Sequence, residues 1–284
     1  MTNDTEPSIR NISDTALWVA IYRARESERP DALFLDPFAR RLAGKRGEQI
    51  AGEMKDAMRY EWPYTARTFR FDQIVNEQVA GGADTVLNLA AGLDTRPYRM
   101  ELPASLKWVE VDLPGMIDYK EEFLAAETPH CALERVRLDL TDPPARRDLF
   151  KRLGSSSRKV LILTEGLLAY LTREEVTELA RDLAAQASFS DWAIDLSSPG
   201  LLKMLQKNLS VLEKAGSPLK FGPEEGPEFF TASGWRPVEV YSMLKTAAMI
   251  KRLTLGMRLM SLLPESKGRQ GSRPWGGVCR LARM

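Results

Sequence analysis

The sequence predicts an α/β fold: a doubly wound, mostly parallel, seven-stranded Rossmann-like sheet preceded by an N-terminal helical appendage. Three observations carry that prediction. From residue 85 onward, short apolar runs alternate with helically spaced segments, the order that lays helices over a parallel sheet. Val160 to Leu163 is four apolar residues in a row, as expected of a strand covered on both faces. Val86-Leu87-Asn88-Leu89 stops at Ala90-Ala91-Gly92, and a second run, Trp108 to Val111, ends in Asp112, twenty residues beyond Gly92. With 284 residues and 44% hydrophobic content the chain can bury a large core. We divide it into a helical cap or lid over 1–82 and a core with helical insertions over 83–284, together one compact unit.

Ser13 or Asp14 caps a first helix with Leu17, Ile21 and Ala24 at helical spacing. Pro30 and Asp36-Pro37 break the chain, and Asp31 to Gly47 reads as a lid or a packing appendage. An aromatic hinge, Tyr60 to Tyr64, leads into a helix whose stripe, Phe71, Ile74, Val75 and Val79, stops at Gly81-Gly82. Arg67 lies one turn before Phe71 on the stripe side. It either meets an anion, such as a ligand carboxylate, or snorkels to the surface.

In a parallel sheet the Ala90-Ala91-Gly92 loop and Asp112 open on one crevice, where a carboxylate accepts hydrogen bonds from two ribose hydroxyls. A dinucleotide fingerprint needs G-x-G-x-x-G; here the pattern is Ala90-x-Gly92-x-Asp94, and the acid disfavours phosphate. A ribose without phosphate fits better, and S-adenosylmethionine is the common ligand of that kind. The alternative is an ordinary core with a glycine turn and a surface aspartate. Pro114 opens a helix to about Glu127, and Arg135 to Leu138 is a third strand ending at Asp139-Leu140 before the breaker Asp142-Pro143-Pro144. Asp139 accepts the adenine amine while Leu140 covers its ring, or Asp139 and Asp142 simply cap and turn. Lys159 to Glu165 runs into Glu165-Gly166, and a glutamate there needs a cation such as the amino group of a bound methionine moiety.

Thr172 and Glu175 have capping-box spacing for a helix to Ala187, followed by the strand Trp192 to Leu196. Beyond it, Ser217 to Pro227 reads as a loop, Phe229 to Trp235 as a short helix with a glycine stop, and Val238 to Ser242 and Val278 to Ala282 as strands. Met249, Leu253, Met257 and Met260 are expected to pack into the core; a substrate lid or membrane-surface helix is the sharper alternative. Lys251, Arg252 and Arg258 interrupt Thr246 to Leu263 and exclude a spanning helix.

Forty basic against 39 acidic residues leave a net charge of +1, which argues against general nucleic-acid binding. Cys131 and Cys279 lack C-x-x-C partners, so neither a metal site nor a disulfide framework is expected. The first residues show no secretory pattern, and with two unpaired thiols the expectation is a cytoplasmic protein.

Four segments, V-L-N-L-A-A-G-L-D-T-R-P-Y-R (86–99), V-E-V-D-L-P-G-M-I-D-Y-K (109–120), L-D-L (138–140) and T-E-G-L-L-A-Y-L (164–171), resemble the leucine carboxyl methyltransferase family. T-A-L-W-V-A (15–20), D-P-F-A-R (36–40) and A-R-T-F-R-F-D (66–72) look like its bacterial branch, the tetracenomycin-type O-methyltransferases. The resemblance spans most of residues 13–200. It implies that S-adenosylmethionine is the cofactor, with Arg67 on its carboxylate and Ala90, Ala91 and Gly92 as the loop. It further implies Asp112 and Leu113 at the ribose, Asp139 and Leu140 at the adenine, and Glu165 and Gly166 near the amino group. Ala90 stands where the family usually has glycine, and Val19 lies where the phosphatase branch has lysine, so peptide specificity does not carry over.

The expected activity is O-methylation of a small molecule, at a carboxylate or hydroxyl. A carboxylate needs no general base, and the single histidine, His130, reads as a surface residue. Tyr170 either lines the acceptor pocket or packs in the core. A non-catalytic S-adenosylmethionine- or nucleoside-binding protein is the alternative; a nicotinamide enzyme is disfavoured by the missing glycines.

Overall fold

A computed structural model describes residues 13–53, 61–265 and 271–284; the N-terminal start and Tyr60 of the predicted hinge lie outside them. Three helices, α1 (Ser13–Ser27), α2 (Ala39–Glu53) and α3 (Trp62–Ala80), precede the sheet. Then follow β1 (Thr85–Leu89), the one-turn α4 (Arg96–Arg99), β2 (Lys107–Asp112), α5 (Pro114–Leu124), β3 (Ala132–Arg137) and α6 (Pro143–Ser156). The second half comprises β4 (Val160–Thr164), α7 (Arg173–Ala184), β5 (Phe189–Ser197), α8 (Pro199–Asn208), α9 (Ser210–Lys214) and β6 (Trp235–Ser242). It closes with α10 (Met243–Met249), α11 (Leu255–Ser261) and β7 (Gly276–Arg283).

The seven strands lie in the order β3-β2-β1-β4-β5-β7-β6. The first five are parallel, and β7 runs antiparallel between β5 and β6. Strand order therefore reverses between β1 and β4, which opens a crevice at their carboxyl ends.

Every residue of β1 and β4 is buried, as continuous apolar runs require. One face of the sheet packs Val86, Leu161 and Leu163 against the α3 stripe Phe71, Ile74 and Val75. The other sets Leu87, Val109 and Ile162 against Leu149 and Leu153 of α6 and Leu179 and Leu183 of α7. Thr172 and Glu175 form the expected capping box of α7. Trp192 and Trp235 meet edge to face with centroids 5.4 Å apart, and each buried indole N–H finds an acceptor, Thr164 Oγ1 or the Ala180 carbonyl.

Two expectations need correction, and two helical stretches carry no prediction above. Asp142-Pro143-Pro144 opens α6 instead of breaking the chain: the Asp142 carboxylate accepts from Ala145 N, and proline at the first helical positions forfeits only an N–H that has no intrahelical partner. Residues 39–53 are helical, kinked at Gly44 (φ 58°), and Gly47 lets α2 approach α1 so closely that a Cβ there would lie 2.9 Å from the Leu17 carbonyl. Residues 199–214, unread in the sequence, form α8 and α9. The methionine-rich segment packs only in part. Leu253 is buried, but Met249 and Met260 are exposed and α11 contributes no buried residue. No helix among the described residues is long and apolar enough to cross a membrane.

Glu110 on β2 and Lys120 on α5 form a fully buried pair, Nζ to Oε1 2.8 Å, and Arg135 donates to the other carboxylate oxygen at 3.0 Å. Glu110→Ala strands the Lys120 ammonium in the interior. It should cost ~3–5 kcal/mol of stability in urea denaturation, whereas replacement of an exposed partner such as Asp118 should cost less than ~1 kcal/mol.

Candidate functional site

The crevice deepens into a cavity of about 510 Å³ at the carboxyl ends of the strands. Arg67, Ala90, Ala91, Gly92, Asp112, Leu113, Asp139, Leu140, Glu165, Gly166 and Tyr170 all line it. Helix α3 brings Arg67, the β1 loop brings Ala90 to Gly92, and the ends of β2, β3 and β4 bring Asp112, Asp139 and Glu165. The rule that parallel strands open on one edge therefore places these residues together. His130 is exposed outside this lining and its Nδ1 lies 2.7 Å from the Met100 carbonyl.

The loop and the acid are joined directly. Gly92 N donates to Asp112 Oδ2 at 2.6 Å, and Leu113 N donates to Oδ1 at 2.7 Å. Burial raises the Asp112 pKa from its ordinary value, against the lowering effect of these two amides and of Lys120. Ala90 has φ 53° and Gly92 φ 48°. The left-handed conformation of residue 90 explains why glycine suits that position, and Ala90 carries a methyl there with local strain of ~1–2 kcal/mol.

Behind the loop lies an ion network that the sequence only hinted at. Arg67 Nε reaches Glu165 Oε1 and its Nη1 reaches Asp195 Oδ2, both at 3.1 Å. Arg96 on α4 donates to Asp72 at 2.7 Å, Asp94 at 2.7 Å and Glu165 at 2.8 Å. Arg99 closes the network on both oxygens of Asp72. Arg67 is thus neither a snorkelling surface residue nor unpaired: it sits in the cavity wall, its guanidinium 5.5 Å from the Tyr64 ring centroid. Burial works against its charge, but Asp195 and Glu165 overcome that and raise its pKa. Burial likewise works against ionised Asp94 and Asp72; Arg96 and Lys120 chiefly hold Asp94 low, and Arg99 and Arg96 hold Asp72 low.

Three guanidiniums here face four carboxylates, Asp72, Asp94, Glu165 and Asp195, so the cluster carries one excess negative charge beside the cavity. Asp195 also accepts from Gly166 N at 2.7 Å. Gly166 has φ 73°, and a Cβ there would lie 3.2 Å from Arg67 Nη1, so glycine admits the arginine. Sequence reading missed Asp72, Arg96 and Asp195, and gave Asp94 no partner. The R-P of Thr95-Arg96-Pro97 and the acid inside β5 were the available signals, but nothing local says that such charges meet.

The remaining wall is mainly apolar. Trp18 and Val19 of α1 face Leu202 and Leu205 of α8, with Leu212 of α9 and Leu219 beyond. Tyr170 stands between the halves, its pKa raised by burial against a hydrogen bond from Thr15 and the charge of Arg67.

Residues 16–184 match the family described as leucine carboxyl methyltransferase. A protein of Streptomyces coelicolor, provisionally named as an S-adenosyl-L-methionine-dependent methyltransferase, is 30% identical over 78% of this chain and 82% of its own length. A relative from Parafrankia with the same provisional name is 32% identical over 81% of this chain and 79% of its own. One from Mycobacteroides abscessus is 35% identical, over 63% of each chain. Among solved structures, a DUF574 family protein of Streptomyces avermitilis superposes with TM-score 0.62 at 17% identity, covering 92% of this chain and 96% of its own. A provisionally assigned methyltransferase of Thermobifida fusca also gives 0.62 at 17%, covering 98% and 97%. These two likenesses concern the fold.

Two outcomes follow from the site. Arg96→Met takes the guanidinium from Asp94 and one of two cationic partners from Asp72 and from Glu165, and should lower stability by ~3–5 kcal/mol at pH 7. Because the folded pKa values of Asp72 and Asp94 are depressed, the stability they contribute is present above the unfolded value of ~3.9 and is lost as pH falls. The gap between wild type and Arg96→Met in urea midpoint should accordingly persist from pH 7 down to about pH 4 and narrow only below it. Ala90→Gly should raise stability by up to ~1 kcal/mol, read as a higher urea midpoint, since relief of the left-handed strain exceeds the added chain entropy.

Proposed function

The chain belongs to the leucine carboxyl methyltransferase family, and from that premise we propose that it transfers a methyl group from S-adenosylmethionine to an oxygen of a small molecule, most readily a carboxylate. The observation that carries the reading is the gathering of Arg67, Gly92, Asp112, Asp139 and Glu165 around one cavity. Their chemistry fits the cofactor. Asp112, already anchored by the Gly92 and Leu113 amides, presents a fixed carboxylate to a ribose diol. Asp139 at the end of β3 can accept from an adenine amine; its Oδ1 also accepts from Thr141 N and Oγ1, so Asp139 turns the chain as well as facing the cavity.

The ion network suits a zwitterionic tail. The guanidinium of Arg67 can turn part of its fork from Glu165 to a carboxylate, and Glu165 then meets an ammonium while Arg96 keeps its other oxygen oriented. The excess negative charge of the cluster favours a ligand with net charge +1 over one bearing a pyrophosphate. When bound, the cofactor supplies a methyl group activated on a sulfonium, and its transfer to a carboxylate yields an ester and a neutral thioether with no proton to remove.

The chain's own residues then have to align two reactants and exclude water. No histidine lines the cavity among the described residues. The phenols of Tyr64 and Tyr170, with pKa values raised first by burial, are poor proton acceptors at neutral pH. Those groups support an acceptor that arrives ionised over one that needs deprotonation.

Calorimetric titration with S-adenosylmethionine tests the donor half. Asp112→Ala should weaken binding at least ~100-fold, the loss of two charge-assisted hydrogen bonds to a ribose, and unchanged affinity would remove the assignment. Because Asp112 is protonated at a higher pH than an ordinary aspartate, wild-type affinity should fall on acidification before that of a carboxylate of normal pKa would. Reaction type is read from the product: a methyl ester releases methanol in mild alkali, and an alkali-stable ether would redirect the proposal to a hydroxyl acceptor.

A further inference from the structure

The half of the cavity away from the strand ends has a chemistry of its own. Between residues 202 and 220 the lining is Leu202, Leu205, Leu209, Leu212, Pro218 and Leu219, with Ser217 and Lys220 its only polar side chains. The four leucines from 202 to 212 recur at helical spacing through α8 and α9, so one face of both helices is committed to this wall. They join Trp18, Ile21 and Tyr22 of α1 in one apolar cluster, and Leu202, Leu209, Leu212 and Leu219 are buried. A polar metabolite would have to leave its hydration shell to enter such a chamber and would find almost no hydrogen-bonding groups in return.

Four residues with cationic side chains line the cavity, Arg23, Arg67, Arg96 and Lys220. Arg23 is held by Asp36 and the Leu93 carbonyl, and Arg67 and Arg96 by the network described above. Lys220 alone forms no ion pair with any described residue. Its backbone N donates to the Ala169 carbonyl at 2.6 Å, which fixes it beside the 165–171 segment that carries Glu165, Gly166 and Tyr170. An exposed lysine is ordinarily a solvated surface charge. This one stands at the margin of an apolar chamber, next to the loop that faces the proposed methyl donor.

We propose that the chamber of α1, α8 and α9 is the acceptor subsite and that it takes an amphipathic monocarboxylate, an extended or flat hydrocarbon body with one carboxylate recognised by Lys220. The proposal rests on the reading that the strand-end half of the cavity holds S-adenosylmethionine, and it adds which body the acceptor has. Apolar surface of the acceptor replaces water along the leucine face, and the unpaired ammonium offsets desolvation of the carboxylate. A short or multiply charged acid has the head group without the body, and a long-chain alcohol has the body without the head group.

The test measures binding separately from turnover. Full-length protein is saturated with S-adenosylhomocysteine and titrated calorimetrically with butyrate, dodecanoate and dodecanol. Dodecanoate should bind at least ~100-fold tighter than butyrate, because eight added methylenes leave water. Lys220→Glu should weaken dodecanoate at least ~10-fold and leave dodecanol unchanged; Leu205→Asp should weaken both. Neither variant should alter affinity for S-adenosylhomocysteine, a control that also reports folding. Equal affinities for butyrate and dodecanoate, or wild-type affinity for dodecanoate in both variants, overturns the proposal while leaving the cofactor assignment standing. Failure of wild type to bind S-adenosylhomocysteine at all would instead remove the reading beneath it.

Discussion

The constraint on which the rest depends is the burial of Arg96. Its guanidinium is almost fully enclosed and meets Asp72 from α3, Asp94 from the β1 loop and Glu165 from the end of β4. A charge so enclosed is tolerable only with partners that are themselves oriented, and each partner comes from a different element. Packing alone would let α3 slide on the sheet by small amounts. The rigid fork of one guanidinium donating to three carboxylates does not, so α3, the β1 loop and β4 are held in one register. Arg67, five residues before Asp72 on the same helix, is thereby aimed at Glu165 and Asp195.

That arrangement explains how a charged site can be both rigid and receptive. In isolation Glu165 would resist burial and Arg67 would seek solvent. Together they are already paired, and a ligand bearing one carboxylate and one ammonium can exchange partners with them without leaving a charge bare. The cost of keeping the network is borne by the fold at neutral pH. The gain is a pocket whose polar groups are oriented before anything binds, which is the condition for productive alignment of two reactants.

What the sequence made legible follows from the range over which each signal acts. β1, β4 and the capping box of α7 declare themselves within a few residues, through apolar runs and the Thr172 to Glu175 spacing. Asp112 and Gly92 could be paired because a single βαβ unit sets their geometry. The meeting of Arg96 with Glu165, 69 positions apart, has no local trace; it depends on which strand lies next to β1. Asp142-Pro143-Pro144 was misread because proline breaks a helix from within yet starts one well, and the residues alone do not say which side of the boundary they occupy. The methionines beyond residue 245 show the converse error. Helical spacing of Met249, Leu253 and Met260 implies an apolar stripe but not that anything covers it, and two of the three remain exposed.

The two halves of the cavity differ in origin along the chain, and this bears on how far family membership reaches. The family match ends at residue 184, which takes in Arg67, the β1 loop, Asp112, Asp139, Glu165 and Tyr170. The leucine face begins at Leu202, beyond that limit. The family match therefore speaks to the half proposed for the methyl donor, whereas the Streptomyces coelicolor and Parafrankia relatives, matched over 78% and 81% of this chain, reach into the other wall. That wall is built from α8 and α9 and from the loop that carries Lys220, a segment inserted between β5 and β6 and not needed to complete the sheet. A parallel sheet with its crevice at the β1–β4 reversal would form without it. Its leucines consequently have a job that the sheet does not set. With α1 opposite, they shape an apolar chamber open to the polar site. In the proposed reaction, which asks mainly for alignment and dryness, such a wall would select the acceptor by the body it can desolvate, while the sheet fixes the polar groups on the opposite side.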